Sequence, residues 1–211
     1  VLALVLGERE QLGTEREEIW RELGISHLVA ISGMHVGFVA LGVGFLAQRL
    51  PLRSLTKLVL VQAVLFIYII ISGTGASGWR ALLVSILGGY GSFIGARQDP
   101  LHMWATVGWI LLLTKPSLIH DVGFTLSFAA SGGIILWSPN FRIKCRSKTL
   151  TYLSNSLLIS VIAQVSLAPF LLKHFGEIAI LGPVATLVFL PLVMLLLIGG
   201  FLVALGLGPL G

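Results

Sequence analysis

From Leu23 to Gln48 the chain runs for 26 residues without a formal charge, long enough as a helix to cross a ~30 Å hydrocarbon core. Six more uncharged windows follow, at 58–79, 81–96, 100–114, 122–141, 149–172 and 178–211. The whole chain is 56% hydrophobic and only 11% charged, against the ~25% charged residues of an average soluble domain. This patterning predicts an all-α fold, a polytopic transmembrane helical bundle of about six to eight membrane segments with short or re-entrant pieces.

The windows differ in quality. Leu58–Ser72 is a dense apolar run that ends in Ser72-Gly-Thr-Gly-Ala-Ser-Gly78, predicted as a flexible turn. Val122–Trp137 and Leu157–Leu172 are clean spanning candidates. Windows 81–96 and 100–114 reach only about 24 and 22 Å as helices, so they read either as short crossings or as a pair that dips in and out. The last window is too long for one helix. Pro183 and Pro191 are expected to break it into a short or re-entrant piece at 178–190 and a span from about 192 to 206. Residues 1–22 form a separate region. Val1–Leu6 reads as the tail of a preceding apolar element, and Gly7–Glu22 as an amphipathic helix at the interface, with Glu18/Glu22 and Ile19/Leu23 at helical spacing. Residues 23–211 are then the transmembrane domain, and a chain that begins at Val1 reads as a fragment or an excised domain.

Charge is distributed unevenly. Six of the nine acids lie between Glu8 and Glu22; beyond them, eleven Lys/Arg face three acids, Asp99, Asp121 and Glu177. If each of the first six windows crosses once, loops 49–57, 97–99 and 142–148 share one side. That side carries Arg49, Arg53, Lys57, Arg97, Arg142, Lys144, Arg146 and Lys148, while the opposite loops carry Arg80, Lys115 and Lys173. Eight cations against three put the first group in the cytoplasm and the acidic N-terminal helix outside, in a multi-pass inner or plasma membrane protein. Whether this charge only orients the chain or also serves a polyanionic substrate is open from composition. The one cysteine, Cys145, forms no disulfide within the chain and reads as a tolerated thiol.

Polar residues in the windows are informative because lipid-facing positions do not carry them. The stretch His27-Leu-Val-Ala-Ile-Ser-Gly-Met-His-Val-Gly37 places two imidazoles and a hydroxyl in the first half of a span. Relative to His27, His35 lies about 80° around a continuous helix and Ser32 about 140°, so the three share one broad face. Gly33 and Gly37, four apart, are expected to admit another backbone closely. Arg80 heads a stripe of Val84, Gly88, Gly91 and Gly95 that is expected to face a helix, which turns Arg80 into the bundle. A buried guanidinium needs an anionic partner, and Asp121 is the internal candidate. Asp121 also starts a window with Gly123, Ser127 and Ser131 four apart, a second small-residue packing stripe. No His-x-x-x-His or His-x-x-Glu-His occurs, so no metal or other cofactor is expected.

The motif His27–Gly37, then Arg80-Ala-Leu, Asp99-Pro100 and Asp121-Val-Gly-Phe-Thr-Leu-Ser-Phe128 resemble, in order and rough spacing, the competence domain of ComEC-type DNA-uptake proteins. Leu6–Glu10 is similar to the approach to that domain, the late Leu181-Gly-Pro-Val-Ala-Thr and Pro191-Leu-Val segments resemble its C-terminal half, and Thr125 stands where the family has Gln. The resemblance implies a membrane channel that takes up single-stranded DNA into the cytoplasm during natural transformation. It also implies a cytoplasmic ATPase or helicase, an extracellular DNA receptor and a metallo-β-lactamase-like domain of a longer protein as partners. No His-x-His-x-Asp-His cluster and no Gly-x-x-x-x-Gly-Lys-Ser/Thr loop occur, so an enzyme is not expected. On this reading His27, Ser32, Gly33, His35, Gly37, Arg80 and Asp121 line the DNA path. Arg49, Arg53, Lys57, Arg142, Lys144, Arg146 and Lys148 form a cytoplasmic basic surface that receives the strand or docks a motor. A small-solute or proton-coupled transporter, using the same His, Arg and Asp groups as a relay, stays open beside it. So does an intramembrane enzyme that pairs Ser32 with a histidine.

Overall fold

A computed structural model describes residues 33–141, 143–176, 178 and 182–204. His27, Ser32, Arg142 and the acidic segment 8–22 lie outside the described residues. Among those described there is no strand. Seven α-helices follow in order: α1 Gly33–Arg49, α2 Ser54–Ser72, α3 Ala76–Phe93, α4 Pro100–Thr114, α5 Val122–Trp137, α6 Lys148–Phe175 and α7 Gly182–Ala204. Short 3-10 turns occupy Pro116–His120 and Ser138–Asn140. Among the described residues, three stretches are long and apolar enough to cross a membrane: Ser54–Ser72, Val122–Asn140 and Lys148–Phe175.

The described residues divide into two compact units, 33–121 and 122–204. In the first, α1, α2 and α3 pack on one another and α4 packs on α3, around Val36, Val39, Leu65, Ile69, Leu82 and Val107. Phe66 of α2 meets Trp79 of α3 edge to face at 5.9 Å. In the second unit, α6 packs between α5 and α7. The buried residues of α5 are Phe124, Phe128, Gly132 and Gly133, with the two phenyl rings stacked at 4.4 Å. Among the described residues α6 buries none. Its outward apolar side chains suit a lipid solvent, where exposed hydrocarbon carries no hydration cost.

Local chemistry explains most of the helix ends. Gly73 and Gly176 adopt left-handed φ of 59° and 72° and donate N–H to the carbonyls of Ile70 and Leu172, a conformation that costs glycine no Cβ clash. The predicted flexible turn is therefore only 73–75, and Ala76–Gly78 already belong to α3. Lys57 Nζ donates to the Gln48 carbonyl at 3.1 Å and closes the C-terminus of α1. The last window differs more. Gly182–Ala204 is one helix, with no break between a re-entrant piece and a span. Pro183 sits in the first turn, where its missing N–H satisfies no helical bond anyway. Pro191 is accommodated in the interior, as Pro169 is in α6.

Asp99 caps α4. Its Oδ1 accepts the N–H groups of Leu101 at 2.8 Å and His102 at 3.1 Å, and Pro100 follows at the first helical position. The backbone bond from His102 leads in holding the carboxyl below its usual range, against a smaller opposing effect of desolvation; the His102 side chain, 3.3 Å away, and the Leu101 bond add to the lowering. A carboxyl with a lowered folded pKa stabilises the helix above its unfolded value, about pH 4. That contribution is lost as pH falls through the folded value. Thermal melts followed by circular dichroism are expected to show this acid-side loss in the wild type. Asp99→Asn keeps a capping oxygen and is expected to flatten that part of the profile.

Candidate functional site

Two of the sequence motifs meet in the first unit. A Cβ built on Gly33, at the first described turn of α1, would lie 3.4 Å from Arg80 Nη2, 3.5 Å from Ala81 Cβ and 3.5 Å from the Ser77 carbonyl oxygen. These are ordinary contact distances for a Cβ, so Gly33 marks where the guanidinium and α3 come against α1, with no room for a longer side chain. Arg80 lies in the second turn of α3, beyond the 73–75 turn, and is half-buried. Helical side chains lean toward the N-terminus, which brings its tip back over Ser77. His35 follows Gly33 by two residues, about 200° around α1, and is fully buried at 0% exposure.

Gly37 behaves differently from its predicted partner Gly33. No atom of another residue comes within 4 Å of a Cβ built there, so the expected close backbone contact is made at Gly33 and not at Gly37. Gly37 instead lines an open groove of about 690 Å³ between α1, α2 and α3. Its lining is mostly apolar, with Gln62, Ser85 and Ser92 as its polar side chains and Gln62 Nε2 donating to Ser85 Oγ at 3.1 Å.

The stripe below Arg80 faces Met103 of α4 at Gly88 and otherwise a loop side chain. Gly88 and Gly91 face the Gln98 side chain, whose Nε2 donates to the Gly88 carbonyl at 2.7 Å and to Ser92 Oγ at 2.8 Å. Gly95 lies past the end of α3. Gln98 was not singled out by sequence reasoning, since a loop glutamine carries no periodic signal. Asp121 is exposed at the junction of the 3-10 turn and α5, with its N–H bonded to the Leu118 carbonyl. The packing face of α5 is one residue on from the expected Gly123/Ser127/Ser131 stripe. Gly123 is exposed, and Ser131 Oγ turns back to the Ser127 carbonyl at 2.7 Å.

Of the predicted basic surface, Lys57 is committed to the end of α1 and the Arg49 guanidinium lies over the Phe45 ring at 4.1 Å. Arg53, Lys144, Arg146 and Lys148 are exposed.

The sequence profile of the Competence family, described as competence protein, matches residues 4–210. The chain is 31% identical over 191 residues to ComE operon protein 3 of Bacillus subtilis, covering 90% of this chain and 24% of that protein. It is 31% identical over 145 residues to Recombination protein 2 of Haemophilus influenzae, covering 65% of this chain and 18% of that one. Competence protein ComA of Neisseria gonorrhoeae is 29% identical over 201 residues, covering 90% and 28%. The chain thus spans about a quarter or less of the length of the first two. No solved structure matches it.

Proposed function

Because the chain belongs to the Competence family, we propose that it is the membrane-embedded part of a channel that passes single-stranded DNA into the cytoplasm during natural transformation. The observation that carries this reading is the meeting of Gly33 with Arg80. A guanidinium kept half-buried among apolar helices offers a fixed, always-charged donor fork for a phosphate. A strand crossing a bilayer must exchange its hydration for such groups without being held tightly.

Arg80 then serves as a transient phosphate site, and Gly33 sets the space in which it works. His27 and Ser32 continue the wall before α1, His35, buried on the other side of α1, holds that wall from behind, and Asp121 marks the entrance to the next span. Gly37 opens a mostly apolar groove between helices in which Gln62, Ser85 and Ser92 are the polar side chains. About six to eight crossings place the basic loops inside, where Arg53 meets the emerging strand, and the acidic segment 8–22 outside. Movement of the strand draws on a partner ATPase. The chain performs no chemistry on DNA.

The test is uptake of labelled DNA by a transformable host in which this chain replaces the corresponding domain of the host's own protein. The unmutated chimaera is expected to restore uptake. Gly37→Leu is expected to fill the groove and block uptake while the protein accumulates normally, because nothing packs against that position. Normal uptake by the Gly37→Leu chain would remove the groove from the path. A chimaera that accumulates in the membrane yet takes up no DNA would refute the channel. A small-solute carrier would fail the same assay and show a substrate-dependent flux instead.

A further inference from the structure

Residues 143–147 lead into α6 and are tied to its first two turns by side chains. The Asn155 amide pairs with Ile143 in both directions, accepting its N–H at 3.1 Å and donating to its carbonyl at 2.9 Å. Thr151 Oγ1 accepts the Cys145 N–H at 2.9 Å, and its proton is shared between the carbonyls of Cys145 and Ser147. Backbone groups that would otherwise require water are thereby satisfied from within. That is the condition for a non-helical segment to lie against a bilayer.

The exposed side chains around this segment are of two kinds. Lys144, Arg146 and Lys148 supply positive charge, and no acid occurs between Asp121 and Glu177 to offset it. Trp137 and Tyr152, 56% and 74% exposed, stand at the adjoining ends of α5 and α6. Amphipathic aromatics beside basic residues, at the ends of membrane-length helices, are the composition of a membrane–water interface. We propose that the clamped loop is an anchor for anionic phospholipid. Lys144, Arg146 and Lys148 contact the headgroup phosphates, and Trp137 and Tyr152 lie at headgroup level. A nucleic-acid strand would meet the same charges, but the amides of Ile143 and Cys145, which a backbone-reading site would offer as donors, are already engaged. The proposal rests on α5 and α6 as spans and not on passage of DNA, so the two readings fail separately.

Thermal unfolding of the purified protein in detergent, titrated with phosphatidylglycerol or phosphatidylcholine, reads the interaction. Phosphatidylglycerol is expected to raise the melting temperature more than phosphatidylcholine, with the difference shrinking as salt rises. The triple variant K144Q/R146Q/K148Q is expected to bind phosphatidylglycerol more weakly by about fivefold per charge removed. The charge-conserving K144R/K148R is expected to retain it. An undiminished phosphatidylglycerol response in the triple variant overturns the anchor. So does a short oligothymidylate that binds the wild type but not the triple variant while the lipid response is equal in both, which assigns the patch to nucleic acid.

Discussion

Gly133→Leu is expected to leave no folded protein in the membrane fraction, and Gly133→Ala to lower the melting temperature clearly. A Cβ at Gly133 would fall 2.5 Å from Ser166 Cβ and against Ser166 Oγ. The serine cannot swing clear, since its Cβ moves only with the backbone of α6, and its Oγ is held by the Ile162 carbonyl at 2.8 Å. Even one methyl group therefore forces α5 and α6 apart, at a cost of about 1–3 kcal/mol for overpacking. A leucine would separate the most extensive helix pair among the described residues. Ser166→Gly is expected to recover most of the loss in the Gly133→Ala background, because it removes the colliding atoms. Gly42→Ala serves as the control: nothing lies within 4 Å of its Cβ position, and alanine is the better helix former. Melting curves of the four purified proteins decide the matter. A Gly133→Ala protein as stable as wild type would contradict the α5–α6 packing.

Arg80→Ala is expected to cut DNA uptake by about one to two orders of magnitude, the worth of one charge-assisted hydrogen-bonded contact, with normal accumulation in the membrane. Arg80→Lys keeps the charge and loses the planar fork, so partial uptake is expected. The neighbouring glycine separates a functional from a merely structural defect. Gly33→Ala places its methyl at ordinary contact distance, 3.4 Å from Nη2, and is expected to be tolerated. Gly33→Leu displaces the guanidinium and is expected to reproduce the Arg80→Ala defect. The double variant Gly33→Leu/Arg80→Ala is then expected to be no worse than either alone, since both remove the same group. Additive losses would show that Gly33 and Arg80 act independently. Full uptake by Arg80→Ala would remove the cation from the path.

How much of this was legible in the sequence depends on the scale of the signal. Uncharged windows placed α2, α4, α5 and most of α6 well, because length and hydropathy are read over many residues at once. The small residue Gly33 announced a close helix contact, but not that Arg80 would meet it. What could not be read was which side of each glycine is occupied. Gly33 and Gly37 are alike in sequence, yet one meets Arg80 and the other an open groove. The packing face of α5 missed by one position because Phe124 and Phe128, not the serines, fill the space against their neighbours. Pro183 and Pro191 suggested a break because a proline signal ignores where in a helix it falls. Gln98, Thr151 and Asn155 act through single bonds to distant backbone, and no periodicity announces such partners.

One dimension of α6 has a mechanical consequence. With Thr151 and Asn155 occupied by the loop and Lys173 charged, the stretch left for hydrocarbon is 156–172, about 26 Å as a helix and close to the apolar thickness of a typical bilayer. Ser166 lies near the middle of that stretch, whereas Gly133 lies in the last two turns of α5, so the tight contact ties one rod near its end to the middle of the other. Pressure that tilts α5 therefore moves its longer N-terminal arm most, and the glycine is the fulcrum.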